Sequence, residues 1–132
     1  MNKALYIYRA SAGSGKTFTL ALEYIKLLIV SPSAYKHILA VTFTNKATAE
    51  MKERIMSCLF GVANALPSSD DYMQRLIEAF PQFSEEEIRR RADAALKMIL
   101  HDYTHFKIQT IDAFFQTVLR GLAKELELSG DL

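Results

Sequence analysis

The sequence points to an α/β domain built on a parallel sheet, and three stretches carry that expectation. A short apolar run, Ala4 to Tyr8, leads into the small-residue loop Ala10-Ser-Ala-Gly-Ser-Gly-Lys-Thr17. Thr17 to Val30 then carries Leu20, Tyr24, Leu27 and Leu28 at helical spacing. Further on, His37-Ile-Leu-Ala-Val-Thr-Phe43 is a nearly continuous apolar run, the mark of a strand covered on both faces. Strand, helix and strand alternate, which favours parallel strands joined by crossover helices, with a ligand at the carboxyl ends of the strands.

The remaining elements follow in order. The first helix stops before Pro32, and Ser31 to Lys36 returns the chain to the second strand. From Ala47, the spacing of Met51, Ile55, Leu59 and Val62 predicts a second helix, closed by Gly61, Pro67, Ser68 and Ser69. Asp71 to Phe80 is a short helix, and Ser84-Glu-Glu-Glu87 is a capping box that opens a longer one through Ile88, Ala92, Ala95, Leu96, Ile99 and Leu100. Phe106 to Thr110 reads as a third strand, after which Phe115, Val118, Leu119, Leu122 and Leu126 give a final amphipathic helix.

At 132 residues and 50% apolar, the chain is expected to form one core, as one domain or a piece of one. Sixteen basic and fifteen acidic residues leave a formal charge of +1, so any contact with nucleic acid has to be local rather than driven by a global field. Cys58 is the single cysteine and reads as a small core residue. The layout of residues 1–30 is unlike a signal peptide, and no run approaches a membrane span; a cytoplasmic protein without membrane partners is expected.

Two constellations carry candidate chemistry. In the loop, Ala10, Ser11, Ala12, Gly13, Ser14 and Gly15 let the backbone curl round an anion in front of a helix whose first N–H groups have no intrahelical partner. Lys16 would reach the β- and γ-phosphates of a nucleotide, and Thr17 would be a ligand of Mg2+. Ala10 stands where the first glycine of G-x-x-x-x-G-K-[ST] belongs, with Gly13 supplying the flexible position; a plain Gly/Ser turn is the competing reading. At the end of the second strand, Thr42, Phe43, Thr44, Asn45 and Lys46 offer hydroxyls, an amide, an ammonium and an aromatic ring for sugar-phosphate and base contacts. The alternative there is a core Phe43 beside a polar turn that caps a helix.

Other clusters suggest less. His101 and His105 have the spacing of a metal pair but lack a third ligand, so a helix-end pair is expected. Arg89, Arg90 and Arg91 point in different directions on a helix and are expected to form a solvated face balanced by Glu85 to Glu87.

Taken together, Ala10 to Thr17, Ile38 to Ile55 and Ile108 to Arg120 resemble the UvrD/Rep-like superfamily 1 DNA helicases, and the long helical connection before the third piece looks most like the RecB/AddA-type helicase-nuclease subunits. The resemblance implies a truncated P-loop NTPase (RecA-like) fold in which residues 1–132 form the N-terminal part of motor domain 1, with ATP and Mg2+ as cofactors. It further implies single-stranded DNA or DNA ends as substrate, break processing and recombinational repair as the role, and a RecC/AddB-like partner subunit. Under it the loop is the Walker A motif, Phe43 stacks on DNA, and the segment around Thr110 is the next DNA-contacting motif. Asp112 departs from the pattern, standing where a histidine is usual; its carboxylate is expected to cap the following helix. No Asp-Glu pair exists in the sequence to serve as a Walker B element, so the 132 residues are expected to bind phosphates without completing hydrolysis. A small-molecule phosphotransferase and a nucleotide-gated binding module are the rival readings.

Overall fold

The computed structural model describes the backbone of residues 4–7 and 14–129 and the side chains of residues 17–128. Three parallel strands, β1 (Ala4–Ile7), β2 (Ile38–Thr42) and β3 (Ile108–Thr110), form one sheet in the order β1-β2-β3. Helix α1 (Ser14–Val30) and a 3-10 turn, Pro32–His37, join β1 to β2. Helices α2 (Asn45–Ala63), α3 (Asp70–Ala79) and α4 (Glu85–His101) join β2 to β3, and α5 (Ile111–Ser129) follows. The expected parallel α/β arrangement is therefore present. The third strand is shorter than expected, because Phe106 closes a 3-10 turn and is buried as a core residue before the ladder begins.

Parallel pairing fixes which strand ends meet. Ile7 lies opposite Val41, and Thr42 opposite Thr110, so the carboxyl ends of all three strands share one edge. In β2, Ile38, Ala40, Val41 and Thr42 are buried and Leu39 is half-buried, as expected for a strand covered on both faces. The core joins Leu28 and Ile29 of α1 to Met51, Ile55 and Leu59 of α2 and to Ile88, Ala92, Ala95 and Ile99 of α4. Small Ala92 and Ala95 let α4 sit close against its neighbours. Tyr24 meets the edge of Phe106 at 5.7 Å, locking α1 against the entry to β3.

Two of the three consecutive arginines contradict the expectation of a solvated face. Nη1 of Arg91 donates to the carbonyls of Ile29 (2.9 Å) and Val30 (3.1 Å), the orphan acceptors at the end of α1. The Glu87 carboxylate accepts from Nε of Arg91 at 3.0 Å, and the guanidinium lies 4.1 Å from the Phe83 ring centroid. Nη1 of Arg89 donates to the Val62 carbonyl near the end of α2 at 2.7 Å. Only Arg90 stays exposed, paired with Glu87. Residues one apart on α4 do point in different directions; here they point at the negative ends of two different helices. The capping box is half formed: Ser84 Oγ accepts from Glu87 N at 3.1 Å, while the Glu87 side chain is turned to the arginines.

Helix α2 ends two residues beyond Gly61, so that glycine lies inside the helix rather than closing it. The Leu66 N–H bonds the Gly61 carbonyl at 2.9 Å and the Ala65 N–H bonds Val62 at 3.4 Å, around Ala65 at φ 56°. This is a Schellman ending with alanine at the left-handed position. The chain folds back so tightly that a Cβ on Gly61 would lie 1.9 Å from Ser69 Oγ and 2.7 Å from Ser69 Cβ. Nearby, Cys58 is buried and free, and burial pushes its thiol upward. Burial also pushes the Tyr72 hydroxyl up to about 12, with the Arg54 guanidinium pulling the other way.

Two stability measurements check this packing. Arg91→Ala lowers unfolding free energy by about 1.5–3 kcal/mol in urea denaturation, since it strips a charged donor from two helix-end carbonyls, whereas Arg90→Ala changes it by less than about 0.5 kcal/mol. Gly61→Ala costs about 1–3 kcal/mol through overlap with Ser69, and adding Ser69→Gly restores most of it. Equal losses for Arg90 and Arg91, or no loss at Gly61, would contradict these contacts.

Candidate nucleotide and nucleic-acid interface

The start of α1, residues 42–46 and Thr110 lie at the carboxyl edge of the sheet. Ala10, Ser11, Ala12 and Gly13 lie outside the described residues. Helix α1 begins at Ser14, so Ser14, Gly15, Lys16 and Thr17 form its first turn. The first N–H groups of a helix lack intrahelical acceptors, which gives the start of α1 a positive end suited to an anion. Thr17 is half-buried.

At the neighbouring strand end the five candidates divide. Phe43 is 46% exposed, which removes the alternative of a core ring. Asn45 and Lys46 are exposed in the first turn of α2. Thr44 is the N-cap of α2: its Oγ1 accepts from Ala47 N at 3.0 Å, so its surface is shared between solvent and helix. Thr42 does not fit a surface contact, because it is 1% exposed. Its hydroxyl donates to the Thr44 carbonyl (3.2 Å) and bonds Thr48 Oγ1 (2.5 Å), tying the strand end to α2. The polar character of Thr42 suggests a ligand contact; its position as the last inward residue of β2 makes it a brace.

A similar correction applies at the third strand. Thr110 Oγ1 accepts from Ala113 N at 3.1 Å, so Thr110, and not Asp112, caps α5. Asp112 is exposed in the first turn, where its charge suits the positive end of the helix. The two candidate metal histidines serve local roles. His101 Nδ1 lies 2.8 Å from the Lys97 carbonyl, and His105 Nδ1 lies 2.6 Å from Asp102 Oδ1. Among the described residues no group of three metal-binding side chains occurs. The Asp102 carboxyl is held below its usual range by its bond to His105 and then by that to Tyr35, whose hydroxyl lies 3.0 Å away. Sequence reasoning misses this Tyr35–Asp102–His105 chain because its first two members are 67 positions apart.

With this geometry in place, comparison with known proteins assigns the family. The chain belongs to the UvrD/REP helicase N-terminal domain family, which matches residues 2–132. Among individual relatives, it is 33% identical over 126 residues to the RecBCD enzyme subunit RecB of Escherichia coli (strain K12), covering 86% of this chain and 10% of that protein. It is 40% identical over 120 residues to the ATP-dependent DNA helicase PcrA of Bacillus subtilis (strain 168), covering 90% of this chain and 14% of that one. With UvrD1 of Mycobacterium leprae (strain TN), identity is 52% over 46 residues, 35% of this chain and 6% of the relative. The chain thus spans about a tenth of the length of the RecB relatives. No solved structure matches significantly. Among the described residues, no helix is long and apolar enough to cross a membrane.

The exposure of Phe43 separates it from true core rings. Phe43→Ala changes unfolding free energy by less than about 1 kcal/mol, while Phe106→Ala, at 2% exposure, costs about 3–5 kcal/mol. Matched denaturation curves of the two variants test this, and a Phe43 effect as large as that of Phe106 would return Phe43 to the core.

Proposed function

We propose that residues 1–132 are the ATP- and DNA-binding N-terminal part of motor domain 1 of an ATP-dependent DNA helicase, of RecB/AddA type, acting on single-stranded DNA at broken ends. The observation that carries this reading is the shared strand edge. The start of α1, the exposed group Phe43 to Lys46 and the start of α5 stand side by side because β1, β2 and β3 are parallel and in register. Family membership supports it, as does the RecB identity across most of the chain.

The donor set fits a triphosphate with Mg2+: the positive first turn of α1, the lysine at position 16 and the hydroxyl of Thr17. The bound nucleotide would supply the phosphoanhydride whose cleavage drives movement. In this reading Ala10, Ser11, Ala12, Gly13, Ser14 and Gly15 enclose the phosphates, Lys16 neutralises them and Thr17 holds the metal. Phe43 offers a π-face to a base, while Asn45 and Lys46 meet the sugar-phosphate chain. Thr44 and Thr110 hold the two helix starts beside that track. A RecC/AddB-like subunit is the partner this reading implies for the intact protein.

Binding and hydrolysis separate in these 132 residues. The sequence contains no Asp-Glu pair to hold metal and polarise an attacking water, and Asp112 sits on a helix start rather than at the end of an apolar strand. Lys16→Ala removes most triphosphate affinity in calorimetric titration, and neither form releases phosphate above background. Lysine-dependent turnover would show a complete enzyme. Phe43→Ala weakens single-stranded DNA binding by about 1–3 kcal/mol in fluorescence titration; unchanged affinity would exclude the stacking role.

A further inference from the structure

The opposite edge of the sheet carries a second feature. Where β2 and β3 begin, the 3-10 turn before β2, the segment entering β3 and the second turn of α5 enclose a cavity of about 430 Å3. Lys36, His37, His105 and Lys107 line it, with Gln109 and the half-buried ring of Phe114. Among the described residues, no carboxylate lines it. Asp102 stands behind His105, already accepting from the Tyr35 hydroxyl at 3.0 Å and bonded to His105 at 2.6 Å. Two lysines thus line the cavity, and the Asp102 carboxylate behind the wall feels the charge of Lys36.

We propose that this cavity is a second nucleic-acid contact, holding a phosphate between Lys36 and Lys107 with the adjoining base against Phe114. Charge and shape select this occupant. The volume lies within the usual range for a small-molecule site, about 300–1,000 Å3. Two lysines from different elements line it, although the chain as a whole carries only +1, so the positive character is local. An aromatic ring beside the cations is the combination that binds single strands without reading sequence. Along β2 this site lies about 15 Å from Phe43 at the usual rise of a strand. This inference rests on the DNA-binding reading above but uses different residues.

Nitrogen-15 NMR of the 132-residue chain tests it with three probes: thymidine 5′-monophosphate, an oligothymidylate of about 12 nucleotides, and inorganic phosphate. The nucleotide and the oligothymidylate are expected to shift amide signals of residues 36–39, 105–109 and 114–117 at concentrations where inorganic phosphate does not. The double variant Lys36→Gln/Lys107→Gln is expected to weaken oligothymidylate binding roughly three- to tenfold and to reduce the salt slope by about 0.7, the share of the one phosphate no longer neutralised. The arginine pair Lys36→Arg/Lys107→Arg should retain both. Unchanged affinity and slope in the glutamine variant overturn the proposal, as do equal shifts with inorganic phosphate, which would mark an adventitious anion site. Signals at 43–46 report the other edge. If they stay still while the cavity signals move, the cavity stands and the strand-edge reading falls; the converse overturns the cavity.

Discussion

Everything of functional interest in this chain depends on β2 lying between two strands that run its own way. Parallel neighbours cannot be joined by a hairpin, so each connection has to cross the sheet through helices. The consequence is directional. Each strand delivers its chain to the same edge, and each helix that follows opens there with N–H groups that have no acceptor within the helix. The starts of α1, α2 and α5 are therefore brought together by topology before any side chain is chosen. The side chains then refine that edge: Thr42 braces β2 to α2 from beneath, Thr44 and Thr110 cap two helices, and Phe43 is left outward.

Two of the three helices that start at this edge, α1 and α2, have their far ends fixed by α4. Arg89 reaches a carbonyl near the end of α2, 27 positions earlier in the chain, and Arg91 reaches the terminal carbonyls of α1, 61 and 62 positions earlier. These bonds form only once the long connection has folded back. The carbonyl ends carry partial negative charge, and a guanidinium with several donors matches more than one acceptor at once. Glu87 and Phe83 position Arg91 from two sides, so little side-chain freedom remains to be lost when the bonds form. The helical insertion between the second and third strands thus helps to set the pitch of the site's scaffold as well as connecting strands.

Much of this is legible from sequence because it follows from period and from turn chemistry. The apolar run at 37–43, the helical spacing through Met51, Ile55 and Leu59, and the Ser84 cap each encode a local structure within a few residues, and all three occur. What is not legible involves choices between partners. A threonine at a strand end can serve a ligand, a neighbouring turn or a helix N–H; at Thr42 and Thr110 the nearby backbone and hydroxyl groups take it. Asp112 does not hold the capping position because Thr110 occupies the residue that precedes the helix, while Asp112 is already inside its first turn. The arginine trio escapes a sequence reading because spacing gives direction on α4 but not what waits in that direction.

Helix α5 shows the limit of local pattern in another way. Its amphipathic spacing is as clear as that of α4, yet Phe115, Val118, Leu119 and Leu122 are each about half exposed, whereas Ile88 and Ile99 of α4 are fully buried. Periodicity states that a face is apolar; only tertiary contact decides whether water leaves it. Among the described residues α5 packs against β2 and β3 near its own start, which leaves the later turns to solvent. Since each large side chain fully removed from water contributes on the order of 1.5–3 kcal/mol, a four-residue stripe left half exposed forgoes several kcal/mol. The first turn of α5 is anchored by Thr110 and by the strand that it leaves. That division places the firm end of α5 at the candidate site, where position matters to the chemistry, and its less supported end away from it.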